Sequence, residues 1–180
     1  MKNMKYSIED LIQIMNDLRD KCPWDKKQTL NSLKSLTIEE TYELIEAIDK
    51  QDYDEIKEEL GDLLLHIVFY SKIASEKNRF NFDDVVKSLI NKLIYRHPHI
   101  YSDTKVNNED DVKKNWEKLK SKKSNKGILD GVPNTLPTLI RTSRVQEKVA
   151  AVGFDFKNID DSINKVIEEY NEFSEALINK

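Results

Sequence analysis

The stretch LTIEETYELIEAI, running from Leu36 to Ile48, decides how this chain folds. It reads as a helix with acids where apolar residues should turn inward. Steps of three and four along one face give Leu33, Leu36, Glu40, Glu43 and Ala47. Apolar residues open and close that stripe, and two carboxylates occupy its middle.

The next helix repeats the oddity. In DYDEIKEELGDLLLHIVFY (residues 52–70), Ile56, Glu59, Leu63 and Ile67 share a face, and Asp62, His66, Phe69 and Ile73 line the stripe beside it. Glu59 and Asp62 are three apart and point the same way, as Glu40 and Glu43 do. The interval from Glu43 to Glu59 is long enough to finish one helix, turn at Lys50–Asp52 and return antiparallel. The four carboxylates then face one another across a helical hairpin. A solvated acidic face is the ordinary explanation of such pairs. Here the acids lie on or beside apolar stripes, where unscreened anions repel and are costly to desolvate. A hard divalent cation removes both problems, and an all-oxygen site suits Mg²⁺ or Mn²⁺. Gly61, between Glu59 and Asp62, costs about 1 kcal/mol in a helix interior; its missing side chain leaves room for a neighbouring backbone or a ligand.

Outward from this hairpin, helices continue in both directions. Ser7 with Asp10 opens a first helix in a capping-box pattern, and Pro23 discourages its continuation. The helix that carries Glu40 is expected from about Thr29 to Lys50, and the next over 52–77 behind Asp52. Asn81 with Asp84 caps a fourth that ends near His97-Pro98. A fifth covers about 108–123, and two more cover 138–151 and 159–180. No segment shows sustained strand alternation. The expected fold is all-α, an antiparallel four-helix core with additional C-terminal helices. The expected organisation is a metal-binding domain over 1–123, a linker over 124–137 and a second, incomplete repeat over 138–180. Phe154-Asp155 precedes Glu168, Glu169 and Glu172 much as Trp24-Asp25 precedes Glu39, Glu40 and Glu43.

Composition narrows the functional classes. The 180 residues are 34% charged and 38% hydrophobic, with 4 Gly and 4 Pro, which suits amphipathic helices. A formal charge of −4 gives no general attraction to nucleic acid or acidic membranes. The lone Cys22 allows no internal disulfide, the N-terminus lacks the apolar core of a signal peptide, and the run LLLHIVFY is too short to span a bilayer. A cytoplasmic protein is expected, with neither membrane nor nucleic acid as partner.

The acids carry a resemblance. EExxE at 39–43 and ExxD at 59–62 resemble the motif of the all-α nucleoside triphosphate pyrophosphohydrolases, the superfamily of MazG, dimeric dUTPases and phosphoribosyl-ATP pyrophosphohydrolases. Within it the chain is similar to MazG over almost its full length: LRDKCPWDKKQT (18–29), LTIEETYEL (36–44), EELGDLLLHIVFY (58–70), RFNFDDV (79–85), RHPHIY (96–101) and VGFDF (152–156) resemble MazG segments in the same order. The resemblance implies metal ligands at Glu40, Glu43, Glu59 and Asp62. It implies a catalytic Glu39 that orients or deprotonates the attacking water, or holds a second ion. It implies Mg²⁺-dependent cleavage of a nucleoside triphosphate to a monophosphate and pyrophosphate, by a homodimer. Phosphate contacts fall on Lys92, Arg96 and Lys120, and packing against the nucleotide on Trp116. The second repeat stops before its own ExxD partner.

Other residues admit plainer roles. The Trp24 loop is expected to plug the helix ends, with Asp25 capping, rather than to lie beside a base. His97 and His99 lack a further ligand at zinc spacing and are expected to terminate their helix; His66 is expected to pack in the core. Two other functional classes compete with the enzyme. One is a non-catalytic nucleotide-binding or dimerisation module. The other, a di-metal oxidase bundle, needs Glu-x-x-His pairs, which the sequence does not contain.

Overall fold

The computed structural model describes residues 6–106, 108–109, 111–112, 115–116, 119, 127–156 and 158–178. Among them every regular element is a helix. The chain divides after Tyr101 into two compact units.

The first unit holds α1 (Ile8–Lys21), a 3₁₀ turn (Asp25–Lys27), α2 (Lys34–Lys50), α3 (Tyr53–Glu76), α4 (Phe82–Arg96) and the short α5 (Pro98–Tyr101). Three of its helix starts have a side-chain cap as local cause. Ser7 and Asp10 form the expected reciprocal cap, with Ser7 N–H donating to Asp10 Oδ2 at 2.8 Å. Asn81 and Asp84 repeat that arrangement at the start of α4. The α2–α3 turn needs a left-handed residue, supplied by Gln51 at φ 57°, after which Asp52 accepts from the backbone N–H groups of Asp54 and Glu55.

The helix expected from Thr29 begins only at Lys34. A tight turn occupies the stretch instead: Thr29 N–H donates to Ser32 Oγ at 2.9 Å, Ser32 N–H to Thr29 Oγ1 at 3.1 Å, and Lys34 N–H to the Asn31 carbonyl three residues back. These bonds give the backbone an alternative to helix. The chain therefore turns before α2, and Leu33 enters the core at the corner.

That core gathers Met15 from α1, Leu33, and Val68, Phe69 and Ile73 from α3, flanked by Ile8, Leu11, Ile12, Leu36 and Phe82. Full burial of each such side chain stabilises by about 1.5–3 kcal/mol. The apolar contacts concentrate on the second half of α3, whereas its first half, paired with α2, carries the acids. Arg19 ties the loop after α1 to the same core. It pairs with Glu76 through two hydrogen bonds of 3.0 and 2.6 Å, donates to the carbonyls of Asp25 and Gln28, and lies over the Phe69 ring. Trp24 does not plug the helix ends: it is 55% exposed, and Asp25 is the buried residue of that loop. Nor does Asp25 cap the 3₁₀ turn, since it is the first residue of that turn, which has no side-chain cap.

The second unit contains α6 (Thr138–Ala150) and α7 (Ile159–Ile178). Of the helix expected over 108–123, residues 109, 111, 112, 115, 116 and 119 are helical, and the remainder lies outside the described residues apart from Asn108. The segment before α6 is held by Lys148, whose ammonium donates to the Ile128 carbonyl at 2.9 Å. The apolar side of α7, including Ile163, Val166, Tyr170 and Phe173, is exposed.

Candidate metal centre

Helices α2 and α3 pair antiparallel through the tight turn at Gln51–Asp52, and their facing sides bring together the acids that the sequence singles out. Glu40, Glu43 and Glu59 each offer a carboxylate oxygen, and those oxygens lie within 4.8 Å of one another. Asp62 is one turn beyond Glu59 on α3, near enough for its charge to act on both Glu40 and Glu59. The stripe that looked contradictory in sequence is resolved by its ends. Leu33 and Ala47 are buried at 1% and 0% exposure, and between them Glu40 is half-buried and Glu43 exposed. The apolar ends anchor α2, and the carboxylates occupy the mouth between the anchors.

The electrostatics follow from that placement. Burial first, then the charges of Asp62, Glu43 and Glu59 and a hydrogen bond with Glu43, push the Glu40 carboxyl from an ordinary 4.5 up to about 7. Glu59 is also raised, by burial and then by Glu43, Asp62, Glu58 and Glu55. Its Oε2 atom is shut off from solvent and has no hydrogen-bond partner among the described residues. A buried anionic oxygen without a donor is costly. Here the surrounding groups are further carboxylates, which make it costlier.

A hard divalent cation fits this donor set. It needs oxygen ligands, it cancels the mutual repulsion, and it supplies the partner that Glu59 Oε2 lacks. Glu40, Glu43 and Glu59 would hold it, with Asp62 beside them.

The other sequence candidates are placed as follows. Glu39 is exposed on α2, next to Glu40. Lys92 is exposed on α4 and Arg96 is half-buried at its end; neither is among the charges that shift Glu40 or Glu59. Trp116 is half-buried in the second unit, and Lys120 lies outside the described residues. In the tail, Lys165 pairs with Glu168 at 2.7 Å and with Glu169 at 3.1 Å.

One feature near the acids escaped the sequence reading. Thr37, one turn before Glu40, is hydrogen-bonded to His66 Nδ1 at 3.0 Å and to the Tyr70 hydroxyl at 2.6 Å. His66 is buried in the core, as expected, and burial holds its pKa below the ordinary histidine value against the opposing charge of Asp62. The available signal was the register: Thr37 continues the Glu40 face toward Leu33, and His66 continues the Asp62 stripe.

Residues 28–101, which contain all four acids, match a family model described as the MazG nucleotide pyrophosphohydrolase domain. A protein of Thermotoga maritima named nucleoside triphosphate pyrophosphohydrolase/pyrophosphatase MazG is 43% identical over 181 residues, covering 98% of this chain and 69% of that protein. A nucleoside triphosphate pyrophosphohydrolase of Escherichia coli is 41% identical over 172 residues, covering 92% of this chain, which spans 65% of that relative's length. The crystal structure of a mazG-related protein from Thermotoga maritima superposes with a TM-score of 0.55 at 25% identity, covering 63% of this chain and 98% of that one.

Proposed function

Since this chain belongs to the MazG family, we propose that it is a Mg²⁺-dependent nucleoside triphosphate pyrophosphohydrolase. It cleaves ribo- or deoxynucleoside triphosphates between the α- and β-phosphates, giving a nucleoside monophosphate and pyrophosphate. The observation that carries this reading is the set of Glu40, Glu43 and Glu59 carboxylate oxygens within 4.8 Å of one another, together with a Glu59 Oε2 atom that is buried without a hydrogen-bond partner among the described residues.

When bound, Mg²⁺ (or Mn²⁺ in its place) supplies charge neutralisation for the phosphate oxygens and lowers the pKa of water. The chain does the rest. Glu40, Glu43, Glu59 and Asp62 hold the cation and fix its position relative to α2 and α3. Glu39, exposed beside them, orients the attacking water and accepts its proton. Lys92, Arg96 and Lys120 neutralise the polyphosphate, and Trp116 packs against the nucleotide. We assign this work to residues 1–123, with 138–180 belonging to a second repeat. A homodimer fits the exposed apolar residues of the first unit, among them Ile38, Tyr42 and Ile45 on α2 and Ile90, Leu93 and Ile94 on α4, and we place it in the cytoplasm. No helix among the described residues is long and apolar enough to cross a membrane.

The test is a panel of ribo- and deoxynucleoside triphosphates with Mg²⁺, scored for product identity. Monophosphate with pyrophosphate supports the proposal. Tight nucleotide binding without turnover makes the first repeat a non-catalytic binding module instead.

A further inference from the structure

Paired helices that carry facing carboxylates repel one another, so contacts other than those acids must hold α2 and α3 in register on either side of them. On the hairpin side the turn does this, through Gln51 in the left-handed region and the Asp52 cap. On the other side, the structure places Thr37 one turn before Glu40 on α2, with His66 and Tyr70 one and two turns beyond Asp62 on α3. We infer that Thr37, with His66 and Tyr70, is a positioning residue of the acidic centre. Its hydroxyl sets the register in which Glu40 and Glu43 meet Glu59 and Asp62. The inference rests on the reading of those acids as a divalent-cation site.

The hydrogen count makes the arrangement specific. A threonine hydroxyl has one proton and two lone pairs. The Thr37 proton goes to the Leu33 carbonyl at 3.0 Å, so both lone pairs are left to accept. Tyr70 O–H and His66 Nδ1–H then donate to them, at 2.6 and 3.0 Å. Every capacity of the hydroxyl is then used, and this hydrogen count assigns His66 the Nδ1–H tautomer. His66 is 6% exposed, so its donor has no water to turn to if Thr37 is lost. The geometric stake is small in distance and large in effect. A helix rises about 1.5 Å per residue, so a slip of a fraction of one residue changes which carboxylate oxygens converge. Two further details agree. Thr41, beside Glu40, donates to the Thr37 carbonyl at 2.7 Å, which ties the acid-bearing turn to the same point. The Thr37 bonds are also neutral, so they add no charge to a site already crowded with anions.

The experiment is a Mn²⁺ titration, followed by the electron paramagnetic resonance of free Mn²⁺. It compares wild type, Thr37→Val, Thr37→Ser and Tyr70→Phe well below their melting temperatures, alongside ¹⁵N spectra of the His66 ring. Removing a group that orients metal ligands typically costs about 10–100-fold in affinity. Thr37→Val is expected to lose Mn²⁺ affinity in that range, Thr37→Ser to restore it, and Tyr70→Phe to lose less. The His66 ring is expected to carry its proton on Nδ1 in wild type and to leave that tautomer in Thr37→Val. If Thr37→Val melts lower but binds Mn²⁺ as tightly as wild type, the hydroxyl serves stability alone and the inference is overturned. Should Thr37→Val fail to fold, Tyr70→Phe decides: weaker Mn²⁺ binding supports the inference and unchanged binding overturns it. Wild type that takes up no Mn²⁺ overturns the cation reading itself and the inference with it, a result distinct from equal affinities.

Discussion

Replacing Glu40 by Gln in the metal-free protein should make it more stable, although the residue sits at the centre of the proposed site. Glu40 has carboxylate oxygens of Glu43 and Glu59 within 4.8 Å. Two unit charges at that distance repel by about 0.9 kcal/mol in water and about 3.5 kcal/mol at an effective dielectric of 20. Glu43 is exposed and Glu40 and Glu59 are half-buried, so solvent screening brings the repulsion toward the lower figure. Removing one charge from the group should therefore gain about 1–2 kcal/mol, a rise of a few degrees in melting temperature.

The pH dependence has a definite sign. Glu40 titrates near 7 in the folded chain against 4.5 ordinarily, so the folded state binds the extra proton between those values. Metal-free stability falls as pH rises through that window, and the penalty is complete above 7. The advantage of Gln should be full at pH 8 and absent below about pH 4.5, where the glutamate is protonated in both states. His66 acts in the opposite sense and equally in both proteins: with its pKa lowered by burial, stability falls as pH drops below the ordinary histidine range. The assay is thermal unfolding by circular dichroism in chelator and in excess Mg²⁺. A cation at 100 times its dissociation constant stabilises by about 2.7 kcal/mol, and Glu40→Gln should lose most of that increment. A variant that melts lower than wild type in chelator at pH 8, yet keeps the full Mg²⁺ increment, would refute both the repulsion and the ligand assignment.

Other outcomes follow from single positions. A Cβ added at Gly61 meets nothing within 4 Å, so Gly61→Ala should stabilise the metal-free chain by about 1 kcal/mol through helix propensity, read by urea unfolding. Arg19→Met removes a two-bond ion pair and two carbonyl contacts; with Glu76 partly exposed, the expected loss is about 2–3 kcal/mol, with Mn²⁺ affinity of the folded protein unchanged. Replacing Glu168, Glu169 and Glu172 together by Gln should leave metal stoichiometry unchanged in a calorimetric titration. Loss of one equivalent per chain would show that the tail completes a site.

The sequence carried α1, α3 and α4 because each has a local cause. Ser7, Asp52 and Asn81 announce their caps, and Pro23 marks an end. The approach of Glu40, Glu43 and Glu59 was legible because i, i+3 spacing on two helices joined by a short turn leaves little freedom in where the carboxylates point. What failed depended on competition or on partners distant in sequence. Thr29 and Ser32 bond each other, so a helix-like stretch became a turn. Trp24 looked like a plug because tryptophan usually is one; the loop instead is tied from behind by Arg19, whose partner Glu76 is 57 residues away. Thr37 and Tyr70 are 33 residues apart, and only the paired helices bring them together.

The central claim is that the α2–α3 acids serve hydrolysis of the α–β bond of a nucleoside triphosphate. It is tested most directly by ³¹P nuclear magnetic resonance of a nucleoside triphosphate incubated with Mg²⁺ and either wild type or Glu59→Gln. The account expects monophosphate and pyrophosphate to appear in equal amounts with wild type, and neither to appear at a comparable rate with Glu59→Gln. Diphosphate and orthophosphate from wild type, or pyrophosphate release undiminished in Glu59→Gln, would contradict it.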